Sequence, residues 1–178
     1  MLLGCYEKFP EDIHSIALLQ HENQTKSLQE AILRTFYRLN NETFDFGSVT
    51  PYLNQCCEVG FEFGVAEGLD FVFLDKTELE QCLKCVAEQD VELLDFFFVV
   101  RYHLVNDGKR VPLRFDYHLL RFVFYEGSLE IRVRHEKGTQ RVLLDELTRF
   151  VVKQINVELV RIQLLPLVFG DFKKVNVK

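Results

Sequence analysis

The sequence predicts an α+β domain: an antiparallel sheet built from ββα-type units, with about three amphipathic helices packed on one face. Three observations carry this expectation. Alternating and aromatic-rich runs are separated by short turns rich in Gly, Asn and Asp, which is the pattern of hairpins. Three other segments place apolar residues at helical spacing behind helix-start signals. Finally, FEFGVAEGLDFVF leads to CVAEQDVEL, and LRFVFYEGSLEIRV leads to FVVKQINVEL. Both stretches, near 59–94 and 119–159, have a Glu-Gly turn and a Gln shortly before Val-Glu-Leu. They read either as an internal duplication of a ββα unit or as a likeness that turn and helix rules impose by themselves.

At 178 residues and 48% hydrophobic composition, the chain fits a single domain over 1–178. A domain of that size buries roughly 70% of the surface its unfolded chain exposes. Seventeen Phe, one Met and no Trp point to a core of Phe, Leu and Val.

In chain order, Leu2 to Lys8 and Ile13 to Gln20 flank Pro10-Glu11-Asp12 as a first hairpin. Ser27 with Glu30 is a capping-box pattern, followed by Leu28, Ile32, Phe36 and Leu39 on one helical face. Glu42 to Glu58 reads as a long loop. Phe61 to Val65 and Leu69 to Phe73 flank Glu67-Gly68, and Thr77 with Glu80 then opens a helix with Leu79, Cys82, Leu83 and Val86 on its stripe. Phe96 to Val105 leads into the turn Asn106-Asp107-Gly108. Leu119 to Tyr125 and Leu129 to His135 flank Glu126-Gly127-Ser128. A third helix spans about Leu143 to Leu159, with Asp145 and Glu146 suited to its positive end and a stripe of Leu147, Phe150, Val151, Ile155 and Leu159. The apolar run Leu159 to Phe169 is expected to close the sheet as a last strand, the alternative being a partner surface.

Charge is unevenly distributed. Residues 42–95 hold thirteen Asp/Glu against Lys76 and Lys84, whereas 101–141 hold nine Arg/Lys against five Asp/Glu, within a net charge of −6. Such a split speaks to binding, either to a second copy or to another partner. The net negative charge disfavours a general nucleic-acid coat, which owes its affinity to phosphate neutralisation.

The predicted binding residues lie on hairpin 119–135. There Arg121 faces Arg132 or Arg134 across the strands, depending on which turn residues form the loop. Opposed like charges cost roughly 0.2–1 kcal/mol, which an acidic neighbour or a bound anion would relieve. Arg101 and His103 extend the same face, giving a candidate anion patch of Arg101, His103, Arg121, Tyr125, Arg132 and Arg134.

Other constellations carry less. Cys82-Leu83-Lys84-Cys85 with Cys56-Cys57 offers four thiols, but one pair is adjacent and the other lies inside a helix, so packing is expected rather than zinc. The five histidines form no metal-hydrolase pattern. Asp116 and His118 share a strand face, where a carboxylate could orient an imidazole, with no nucleophile beside them. No glycine-rich phosphate cradle occurs, so no cofactor and no metal are expected, and no catalytic residue is assigned.

No apolar run approaches the roughly 20 residues that span a bilayer. With an odd number of cysteines and no signal-peptide pattern at Met1 to Lys8, the expectation is a cytoplasmic protein without membrane contact. The leading functional expectation is a non-enzymatic binding or assembly module that self-associates, as a homodimer, through charge-complementary surfaces. The alternatives are anion or nucleic-acid binding through the arginine face, and a Phe-lined pocket or unrecognised enzyme.

Overall fold

The computed structural model describes residues 3–50 and 57–174. In chain order the elements are β1 (Ser15–Gln20), α1 (Thr25–Leu39), β2 (Thr43–Asp45), α2 (Phe46–Val49), β3 (Cys57–Glu67), β4 (Asp70–Phe73), α3 (Lys76–Glu88), β5 (Leu93–Asn106), β6 (Lys109–Pro112), β7 (Asp116–Tyr125), β8 (Ser128–Lys137), α4 (Leu144–Arg161) and β9 (Val168–Lys174). Among the described residues the strands form one sheet in the order β2-β3-β5-β7-β8-β1-β9, with β4 also on β3 and β6 also on β5. Neighbouring strands pair antiparallel.

Period-two alternation divides the sheet into two faces. Phe61, Phe63, Phe96, Phe98, Phe122, Leu129 and Ile131 point to the face that carries the helices, and all are buried. Phe36 of α1 stacks on Phe63 at 3.9 Å between centroids and meets Phe96 edge-on at 4.8 Å. Phe150 of α4 stacks on Phe61 at 5.3 Å. Helix α3 lies against α1. The expected stripes of α1 (Leu28, Ile32, Phe36, Leu39) and α4 (Leu147, Phe150, Val151, Ile155, Leu159) are buried in full. Burying a Phe or Leu side chain contributes about 1.5–3 kcal/mol, so these rows hold the two layers together.

Helix starts depart from the sequence signals by a residue or two. Helix α1 begins at Thr25 behind Gln24, so Ser27 sits inside the first turn and is not the cap. Asp75, not Thr77, caps α3, accepting from the Glu78 N–H at 2.9 Å. The stretch expected as a long loop contains β2 and the single turn α2, a fourth helix. The C-terminal apolar run divides: its first residues finish α4, Leu167 is buried, and β9 then extends the sheet beside β1.

The expected first hairpin does not form. Leu3 and Tyr6 make isolated bridges to Glu67 and Gly68 instead of pairing with β1. The Gly4 N–H donates to Ala66 O at 2.8 Å, and the Asp95 N–H donates to Gly4 O at 2.6 Å, so the segment threads between the ends of β3 and β5. Glycine is required there: its φ is +82°, and a Cβ would come 2.6 Å from Leu94 Cδ2. The two stretches compared in the sequence differ in their pairing. Strands β7 and β8 pair from Tyr117 to Tyr125, whereas β4 pairs only with Gly64 to Glu67 of β3. No helix among the described residues is long and apolar enough to cross a membrane.

Candidate functional site

Opposite the helices, the second face of the sheet carries the arginines singled out in the sequence. The turn residues are Glu126 and Gly127, which sets Arg121 directly across from Arg132. Arg101 lies opposite Gly60, and His103 opposite Glu58, on the same face. Tyr125 stands apart at the end of β7, opposite Ser128 and about half exposed.

Each of these arginines already has a carboxylate partner. Arg121 grips both oxygens of Asp95 at 2.7 Å, and its guanidinium lies 4.1 Å above the Phe9 ring. Arg132 pairs with Glu130, and Arg134 with Asp12 and Glu136. Arg101 approaches Glu62 at 3.5 Å, and Arg110 holds Glu58 at 2.9 Å. Burial pushes the His103 imidazole below its usual value, aided by Arg110 and Arg101. The acidic stretch therefore supplies Asp95, Glu62 and Glu58 to the basic one, and the opposed arginines are relieved from within the chain.

Beside this neutralised patch lies a groove of about 620 Å³, lined by Tyr6, Phe71, Phe97, Tyr117, Leu119, Glu136 and Lys137. Its floor is a ribbon of four rings drawn from the N-terminal segment, β4, β5 and β7. Tyr6 and Phe71 have centroids 4.7 Å apart, Phe71 and Phe97 5.7 Å, and Phe97 and Tyr117 5.9 Å, with successive tilts of 45°, 41° and 30°. Phe97, Val99, Tyr117 and Leu119 are apolar or aromatic on the face that elsewhere carries charge. That departure from alternation is visible in the sequence and is the signal that could have found the groove.

The rim depends on a β-bulge. Lys137 pairs with Tyr117 and His135 with His118, so Glu136 is an extra residue in β8. Simple alternation would put Glu136 on the open face and turn Lys137 back toward the helices. The bulge aims both at the groove. Glu136 accepts from Arg134 Nε at 2.8 Å. Lys137 is exposed, and its side chain makes no ion pair or hydrogen bond among the described residues.

On the helix side, behind this end of the sheet, sits a second polar cluster. Asp116 accepts from Tyr102 Oη at 2.8 Å and from the backbone N–H groups of Gln140 and Arg141 at 2.7 and 3.0 Å, with His135 Nε2 at 3.4 Å. Burial alone would raise its carboxyl, but these donors together hold it below the usual value. The imidazole that Asp116 meets is thus His135, not His118. His118 is 1% exposed, with neither ring nitrogen hydrogen-bonded to a side chain, and its ring lies 5.1 Å from that of His135. Burial, reinforced by His135, pushes it down to about 4. Cys82 is buried on α3, where desolvation and then Glu78 raise its thiol, and Cys56 lies outside the described residues. No group of three or more His, Cys, Asp or Glu among the described residues is arranged to hold a metal ion.

Comparison of the chain with protein-family models, with curated proteins and with solved structures finds no match, so the groove is interpreted from its own chemistry.

Proposed function

We propose that this chain is a non-enzymatic binding module that takes a small planar aromatic molecule in the groove on the open sheet face. The observation that carries the reading is the four-ring ribbon of Tyr6, Phe71, Phe97 and Tyr117. Aromatic rings at these separations stabilise a further ring by offset or edge contacts. The groove's volume of about 620 Å³ falls within the roughly 300–1,000 Å³ typical of small-ligand sites.

The ion pairs made within the chain support this reading over charge-driven self-association. Arg121 and Arg132 would have to exchange Asp95 and Glu130 for equivalent carboxylates on a second copy, at little net gain. Asp116 and His118, the residues nearest to acid–base chemistry, lie on the other side of the sheet from the groove.

Titration with 2-naphthol, followed by amide chemical shifts, tests the proposal. Shifts are expected to cluster at Phe71, Phe97, Tyr117 and Lys137, and Phe97→Ala should weaken binding roughly three- to tenfold. Shifts that are absent, or that map to the helices, would defeat it.

A further inference from the structure

Resting on that reading, we infer that the ligand is an aromatic anion, a planar ring system carrying a carboxylate, sulfonate or phosphate that Lys137 receives. The groove has two charged rim residues, and they are not equivalent. Glu136 is tied to Arg134 at 2.8 Å, so its carboxylate already has a cation, although Arg134 is shared with Asp12 and that trio carries one net negative charge. Lys137 lines the groove at its rim, and among the described residues its ammonium has no carboxylate partner.

Its position is a product of the bulge. Regular pairing, with Glu136 opposite Tyr117, would instead place Lys137 opposite Asp116 on the helix face. Bulges that re-aim a side chain recur beside binding sites. Here the consequence is a cation delivered to the edge of an aromatic floor, on a chain whose net charge is −6. A ring alone would use the floor and leave the ammonium solvated. A ring bearing an anion uses both, through a charge-assisted contact of the kind that fixes orientation in small-ligand sites.

The test compares two probes of one ring system, naphthalene-2-sulfonate and 2-naphthol, by calorimetric titration of the full chain. The sulfonate is expected to bind about five- to tenfold more tightly, with an advantage that shrinks as salt is added. Lys137→Gln should remove that advantage while leaving 2-naphthol unchanged. Lys109→Gln, which alters net charge equally at the distant β5–β6 turn, should leave both unchanged. Equal affinities for the two probes, or a Lys137→Gln effect that falls on both alike, would overturn the anion assignment while the aromatic reading stood. If neither probe bound, the groove reading would fall and this inference with it. If Lys109→Gln weakened the sulfonate as much as Lys137→Gln, the preference would belong to the whole molecule's field and the assignment to Lys137 would fail.

Discussion

Asp95 and Asp116 are both sealed from solvent on the directly paired strands β5 and β7, yet they face opposite sides of the sheet and are held by different means. Asp95, on the open face, relies on one cation: Arg121 supplies two hydrogen bonds and the Tyr6 N–H a third at 2.7 Å. Burial pushes its carboxyl up, and Arg121 and Tyr6 only partly pull it back. Asp116, on the helix face, has no arginine side chain among its hydrogen-bond donors. A phenol, two backbone N–H groups and His135 surround it, and its carboxyl is held down. The difference teaches that fixed dipoles can hold a carboxyl below its usual value without a cation, whereas one ion pair only partly offsets the deeper burial of Asp95. It also shows why the arginines of the open face are poor ligand-binding groups: Arg121 is committed to a charge that cannot be left alone.

The largest expected effect follows from breaking the ionic arrangement. Arg121→Met strands the Asp95 carboxylate in the sheet and should lower stability by about 3–5 kcal/mol in urea unfolding at pH 7. Adding Asp95→Leu removes the stranded charge, so the double variant should recover more than half of that loss. A single variant within about 1 kcal/mol of the parent chain would show that Asp95 does not depend on Arg121 for its charge.

The second effect sharpens the contrast from the helix side, where charge is excluded. His118 takes up a proton near 6.5 when unfolded and only near about 4 when folded, so the unfolded chain binds more protons across that interval. Stability is therefore lost as pH falls below 6.5, by about 2 kcal/mol at pH 5 and about 3 kcal/mol near pH 4 from this residue alone. Asp116 acts in a separate window: its carboxyl is depressed, so the stability it contributes persists above the unfolded value of 3.8 and is lost only as pH falls further. His118→Phe, beside Phe98 at 5.7 Å, should keep most of the His118 share between pH 6.5 and 4. Parallel stability curves for the two proteins over that range would refute the assignment.

Much of this architecture is legible in the chain. The helical stripes around Phe36 and Phe150, the turn at Glu126-Gly127, and the opposition of Arg121 to another arginine follow from local rules of periodicity and turn length. The β3–β4 turn falls one residue later than the expected Glu67-Gly68, at Gly68-Leu69 between the paired Glu67 and Asp70. The candidate site was less legible, for reasons that are spatial. Asp95 and Arg121 are 26 residues apart and meet only because β5 and β7 are neighbours. Tyr6 enters the groove because the N-terminal segment threads beside β3 and does not pair with β1. Lys137 reaches the rim only through a one-residue slip in pairing, and alternation alone assigns it to the wrong face. Phe97 and Tyr117 are the exception, since an apolar pair on a charged face could be seen without coordinates.

The smallest effect tests how the dipoles around Asp116 are assembled. Gly138 has φ +114°, and the chain that follows it folds back so that the Gln140 and Arg141 N–H groups reach the carboxylate. A Cβ at this position would fall inside contact distance of Asp116 Oδ1 and Phe115 O. Gly138→Ala combines backbone strain with that collision and should cost about 2 kcal/mol, because the loop must lift and Asp116 must exchange two backbone donors for water. Gly127→Ala provides the comparison. Its φ is +75°, but its nearest neighbour is His21 O at 4.0 Å, so strain acts there without a collision and about 1 kcal/mol is expected. Amide exchange at Gln140 and Arg141 should accelerate in Gly138→Ala and stay slow in Gly127→Ala. Equal costs with unchanged exchange would mean that left-handed backbone strain alone sets the penalty. The wrapping of Asp116 would then contribute little, and the two buried aspartates would differ less than their surroundings imply.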